Sequence, residues 1–228
     1  KGVFKISINL KNQDHWTIIG NGSSYLKEDL LLHSRKTKVL ALDGGAKLCL
    51  EYDIFPDVIL GDFDSIDLKS YQEDSFFKES KFISASNQNK TDLEKGLEYI
   101  CQKPCNSINL FSAMGSRLDH SLNALFVLRK FSKKNRSVVL HRDEEIVIFI
   151  KDESLELRGR VGFKVAILGF ESGTLSSQGL LYDMTQYKVN YFGDSSLCNT
   201  LKSEKAILGI RGEVLIILQK GIKVRKIS

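Results

Sequence analysis

Residues 39–65 read VLALDGGAKLCLEYDIFPDVILGDFDS. Two short apolar runs, Val39–Leu42 and Val58–Leu60, flank a helix-like segment, Ala46–Tyr52. A strand buried on both faces reads as an unbroken apolar run rather than as an alternation. The stretch therefore predicts a strand–helix–strand unit with its two strands parallel. The same pattern extends outward in both directions. Trp16–Ile19, Phe82–Ala85, Ile108–Phe111 and Val138–Leu140 are further buried-strand candidates, and Tyr25–Leu32, Leu93–Ile100 and Leu122–Phe131 are helical. Residues 1–150 are expected to form an α/β domain on a mostly parallel sheet.

Beyond Lys151 the pattern changes. Strand-like pieces recur at Leu155–Leu157, Phe163–Leu168, Gly179–Tyr182, Lys188–Phe192, Ala206–Ile210 and Val214–Leu218, with glycine-containing turns and no amphipathic helix. That spacing predicts a second domain over 151–228, an antiparallel β-sandwich or barrel. Gly212 and Glu213, between two such pieces, read as a tight hairpin turn.

The chain has 228 residues, 42% hydrophobic and 27% charged, which suits a water-soluble globular protein with real cores. No apolar run reaches membrane-spanning length, and the start lacks the pattern of a signal peptide. The four cysteines, Cys49, Cys101, Cys105 and Cys198, form no CxxC pair. They point to a reducing, cytoplasmic setting with neither a disulfide framework nor a zinc site. Cys49, between Leu48 and Leu50, is expected in the core. The net charge is +5. The basic stretches Arg129–Arg136 and Lys220–Lys226 carry no interleaved aromatics, so they read as solvated faces rather than a nucleic-acid platform.

In parallel sheets ligands sit at the carboxyl ends of strands, and polar clusters follow four of the apolar runs. Asp43-Gly44-Gly45, taken alone, reads as a helix start in which Asp43 caps and the glycines permit the turn. The same glycines would let backbone approach a phosphate. In Gly61-Asp62-Phe63-Asp64-Ser65, the two carboxylates stand two residues apart and share a side of extended backbone. Such a pair repels unless a proton or cation intervenes, and a hard cation such as Mg²⁺ takes oxygen ligands of this kind. The alternative, that Asp64 or Asp67 caps a helix near Leu68–Tyr71, explains one carboxylate of the pair. Thr91 with Glu94 forms a capping box, and Asp92 there suits the helix dipole. In Gly115-Ser116-Arg117-Leu118-Asp119-His120, Arg117 offers a fork of donors for phosphate, while Asp119 reads equally as a helix cap. Together Asp43, Asp62, Asp64, Asp92 and Asp119 would line a metal–nucleotide crevice. There is no Walker A sequence, and Gly20-Asn21-Gly22 is too short to be a dinucleotide fingerprint.

With Asp43–Gly45, Pro56-Asp57, Gly61–Ser65, Thr91-Asp92 and Gly115–His120 in this order and spacing, the chain resembles the thiamine pyrophosphokinase family. The resemblance implies an α/β nucleotide domain followed by a β-sandwich. It also implies transfer of the β,γ-diphosphate of ATP to the hydroxyl of thiamine, with AMP as the second product. Mg²⁺ is the implied cofactor and ATP the co-substrate. The implied assembly is a homodimer with thiamine at the subunit interface, without nucleic acid or membrane.

Carried over residue by residue, Asp43, Asp62, Asp64, Gln88, Asp92 and Arg117 would be catalytic, with Asp62, Asp64 and Asp92 on the metal. Gly44, Gly45, Thr91, Gly115, Ser116, Arg117, Asp119 and His120 would hold the nucleotide. Asp119, Tyr182, Ser196, Cys198 and Asn199 would meet thiamine, with Tyr182 against its aromatic part. Asn89, Ser116, Tyr182 and Cys198 depart from the family's usual Asp, Gly, Trp and Ser. The same site could serve another acceptor, such as a pterin-type alcohol, or belong to a binding protein without turnover.

Overall fold

The computed structural model describes residues 12–23, 25–63, 68–133, 136–190 and 193–227. Asp64, Ser65 and Asp67 lie outside the described residues, as does Phe192 at the end of the expected strand Lys188–Phe192. The chain divides into two compact units, and the division falls inside a strand, between Ile108 and Asn109. The first unit comprises the described residues up to Asn21 with Lys27–Ile108. The second comprises Gly22–Leu26 with the chain from Asn109 onward.

In the first unit β1 (Asn12–Ile19), β2 (Thr37–Leu42), β3 (Val58–Gly61) and β4 (Lys81–Ser84) lie side by side, all parallel. Helices α1 (Lys27–Ser34), α2 (Gly45–Glu51), α3 (Leu68–Glu73) and α4 (Asp92–Cys101) connect or follow them. The apolar runs in the sequence are the buried strands: Ile18, Ile19, Leu40 and Ile59 have no exposed surface. Cys49 is buried as expected. The sheet carries two polar staples. The hydroxyls of Thr17 and Thr37 bond at 2.7 Å inside it. Asp57 accepts from the Val39 N–H through its carboxylate at 2.7 Å and donates its own N–H to the Val39 carbonyl. Asp57 thus ties β2 to β3.

The second unit takes up β5 (Ser107–Phe111) from Asn109, then α5 (Leu118–Phe131) and β6 (Ser137–His141). The rest is antiparallel. It comprises β7 (Glu145–Lys151), β8 (Ser154–Arg158), β9 (Lys164–Gly169), β10 (Gly173–Gln178), β11 (Tyr187–Val189), β12 (Ser195–Thr200), β13 (Lys205–Arg211), β14 (Glu213–Gln219) and β15 (Lys223–Ile227). These strands make two layers, β12-β9-β14-β7-β6 and β11-β10-β13-β8-β15. Ile148, Leu157, Ile167, Leu208 and Ile216, with their neighbours, fill the space between the layers. This is the expected sandwich.

Two local expectations are corrected. Gly212 does not turn a hairpin: β13 pairs with β10 and β8, whereas β14 pairs with β7 and β9. With φ at 92°, Gly212 passes the chain from one layer to the other. Gly179–Tyr182 is not a strand but a loop around Asp183, whose carboxylate accepts from the N–H groups of Gly179 and Leu180. Among the described residues no helix is long and apolar enough to cross a membrane. In the basic stretches Arg129 pairs with Glu213 and Glu171, Arg225 with Glu156, and Lys226 with Glu153.

Candidate active site

In the first unit the ends of β2 and β3 lie side by side, with Asp43 after one and Asp62 after the other. Asp43 follows β2 and donates its N–H to the Leu60 carbonyl of β3 at 2.9 Å. Asp43 is not the N-cap residue of α2. The cap position is Gly44, and the Asp43 carbonyl accepts from Ala46. The Asp43 side chain instead lies against Gly61, the last residue of β3, with one carboxylate oxygen shut off from solvent. Asp62, half-buried, comes next in the chain. Asp43 has φ at 39° and Phe63 has φ at 62°. A non-glycine residue in that region costs about 1–3 kcal/mol and persists where its surroundings over-determine it, as at functional sites. Burial first, and then the charge of Asp43, push the Tyr71 hydroxyl of α3 above its ordinary value. Tyr71 therefore belongs to the surroundings of Asp43.

Helix α4 adds the next carboxylate. Thr91 is its cap and accepts from the Glu94 N–H at 3.4 Å, as the capping-box pattern predicts. Gly96 lets the helix press onto β2: a Cβ there would lie 2.7 Å from Leu42 Cδ2. Leu42 immediately precedes Asp43, so the packing sets α4 against the end of β2. Asp92 opens the helix and accepts from Lys95 Nζ at 3.0 Å. Gln88 and Asn89 occupy an exposed turn before it. Asn89 gives its N–H to the side chain of Asn87.

In the second unit Ser112 follows β5 with φ at 55° and exchanges hydrogen bonds with the backbone of Gly22. Gly115 packs on Gly22, and Ser116 is exposed. Arg117 is the cap residue of α5, so Asp119 is not; it lies in the first turn. Two bonds from the Arg117 guanidinium, 2.6 and 3.2 Å, hold Asp119. That pairing keeps its carboxyl down at about 2. The remaining donors of this exposed guanidinium are available to an anion. His120 beside it is exposed.

A further predicted cluster in the second unit is built on Asn199, which is 2% exposed. Its side chain accepts from the Tyr182 N–H and donates to the Tyr182 carbonyl and to Ser196 Oγ. Asn199 thus holds the loop, and leaves Tyr182, 65% exposed, and Cys198 open to a ligand. Cavities of 570 and 1080 Å³ elsewhere in this unit are lined by none of the predicted site residues.

Among the described residues no group of three or more His, Cys, Asp or Glu is arranged to hold a metal. The carboxylates of Asp43 and Asp62 at neighbouring strand ends are nonetheless hard oxygen donors of the type Mg²⁺ takes. Asp92 keeps one oxygen beyond the one engaged by Lys95. Outside the sequence motifs, the structure adds Asn21, whose side chain lies over Gly44, and with it Gly22, Ser112, Tyr71 and Lys95. The Gly20–Gly22 turn is the one signal of them in the sequence.

The fold defines an α/β protein with acidic residues at the carboxyl ends of parallel strands and an antiparallel β-sandwich. Residues 30–140 match the family described as "Thiamin pyrophosphokinase, catalytic domain". Thiamine pyrophosphokinase 1 of Oryza sativa subsp. japonica is 30% identical over 163 residues, 65% of this chain and 60% of that protein. Thiamine pyrophosphokinase of Bacillus subtilis (strain 168) is 27% identical over 124 residues, 54% of this chain and 58% of that one. The chain thus spans about three fifths of the length of the curated relatives it matches. The crystal structure of thiamine pyrophosphokinase from Bacillus subtilis has the same fold. Its TM-score is 0.80 at 19% identity, over 90% of this chain and 98% of that one. The chain is thus similar to the thiamine pyrophosphokinase family over residues 30–140 and shares the fold of a solved thiamine pyrophosphokinase.

Proposed function

We propose that the protein is a thiamine diphosphokinase, which transfers the β,γ-diphosphate of ATP to the hydroxyl of thiamine and releases AMP. The observation that carries the reading is the placement of Asp43 against Gly61, the residue before Asp62, with α4 packed through Gly96 on Leu42, the residue before Asp43. All lie within the stretch that matches the family's catalytic domain.

The hydroxyl oxygen would attack the β-phosphorus, the bond to the α-phosphate oxygen would break, and AMP would leave. Such transfers depend on positioning and charge neutralisation. Asp62, with Asp64 and Asp92, would hold Mg²⁺, which when bound supplies positive charge to the phosphates. Asp43 would accept the hydroxyl proton, since Asp92 has given one oxygen to Lys95. Gly44 and Gly45 would let backbone approach the phosphates, with Thr91, Gly115, Ser116 and His120 also toward the nucleotide. Arg117, steadied by Asp119, would meet charge on the leaving group, and Gln88 would complete the site from its exposed turn. Tyr182, Ser196 and Cys198 would face thiamine, with Asn199 holding their loop. We further propose a homodimer with thiamine at its interface. Free thiols at Cys49, Cys101, Cys105 and Cys198 fit a reducing cytoplasm.

Chromatography of products from Mg-ATP, with and without thiamine, tests the reading. Equal amounts of AMP and thiamine diphosphate are expected, and only with thiamine. ATP binding without AMP release would favour a pterin-type acceptor or a binding protein.

A further inference from the structure

Lys95 is a charge in an unfavourable place. It sits in the first turn of α4, where the partial positive charge of the helix end opposes a cation. It is also only 8% exposed, so its ammonium has lost most of its water. A lysine serving only as a helix-surface staple would gain little from its pair and would stay solvated. An ammonium has three donors. One goes to Asp92 Oδ1 at 3.0 Å, and no other described group takes the remaining two.

Helical side chains lean toward the helix N-terminus, so Lys95 reaches back along the turn that Asp92 opens. Gly96, the next residue, presses on Leu42, which precedes Asp43. The buried charge is therefore carried on the turn packed against the strand end with the acidic residues. A multiply charged oxyanion there would satisfy the two spare donors and offset the desolvation of the ammonium.

We propose that Lys95, held in place by Asp92, contacts the β- and γ-phosphoryl oxygens of the nucleotide, the group that is transferred. This rests on the diphosphokinase reading. Lys95 would then be what distinguishes ATP from AMP within the first unit.

The test is calorimetric binding of Mg with α,β-methylene-ATP, which cannot be cleaved at the transferred bond, and of AMP, to the unsubstituted protein and to Lys95→Met. Affinity for the ATP analogue is expected to fall about ten- to hundredfold in Lys95→Met, the range for one charge-assisted hydrogen bond. AMP affinity is expected to stay within about twofold. Thermal midpoints without ligand confirm that the variant is folded. Should Lys95→Met fail to fold, Lys95→Gln, which keeps a donor without the charge, carries the same comparison. Unchanged affinity for the analogue, or equal losses for the analogue and AMP, would overturn the proposal. Binding needs no turnover, so an absence of thiamine diphosphate would count against the function while leaving this result to stand or fall separately.

Discussion

A Cβ placed on Gly61 would lie 3.1 Å from the Cβ of Asp43 and 3.2 Å from its carboxylate oxygen. Bare backbone at the end of β3 is what seats the Asp43 side chain. Gly61→Ala should push that carboxylate by a few tenths of an ångström. We expect kcat to fall about tenfold, since small misplacements at a reacting centre are costly in rate. The unfolding free energy should change by no more than about 1–2 kcal/mol. Steady-state kinetics and a thermal melt on the same preparation check both.

Asn199 and Tyr182 should separate in their effects. Asn199→Ala removes the buried amide that bonds the N–H and carbonyl of Tyr182 and should cost about 1–3 kcal/mol of stability. Tyr182→Ala removes an exposed ring and should leave stability within about 0.5 kcal/mol. Its KM for thiamine should rise several-fold, up to about tenfold, through the lost aromatic contact. Denaturant titration and initial rates distinguish the two.

Glu156 gives the sandwich an acid-sensitive element. Hydrogen bonds from Arg158 and Lys205, with the charge of Arg225 nearby, hold its carboxyl at about 2 against an ordinary 4.5. A depressed folded value means the contribution to stability is complete above about pH 4.5 and is lost as pH falls toward 2. Glu156→Gln should flatten that part of the thermal midpoint-against-pH curve. A curve with the same acid limb as the unsubstituted protein would remove Glu156 from the account.

The parallel strands were legible because burial on both faces makes them continuous apolar words: Val39–Leu42 and Val58–Leu60 name β2 and β3 almost to the residue. β10 and β12 were not, because hydroxyl-rich pieces such as Gly173–Gln178 and Ser195–Thr200 bury little apolar surface and read as loop or ligand contact. β15 read as a basic face because Lys223 and Arg225 point away from the core. Gly212 showed a turn, but no local signal says which layer the next strand will join. Asp43, Asp62 and Asp92 stood out through their position after apolar runs and at a capping box. Asp57 stood among them in the sequence, yet its carboxylate is spent on the Val39 backbone. Lys95 and Tyr71 gave no signal, since their significance comes from helix packing against distant strands.

The measurement that bears most directly on the strand-end aspartates as the seat of diphosphate transfer is the rate of AMP and thiamine diphosphate formation by Asp62→Asn. The expected result is a loss of about a hundredfold or more in both products together, with an unchanged thermal midpoint. Near-normal formation of both products by the folded variant would contradict the account.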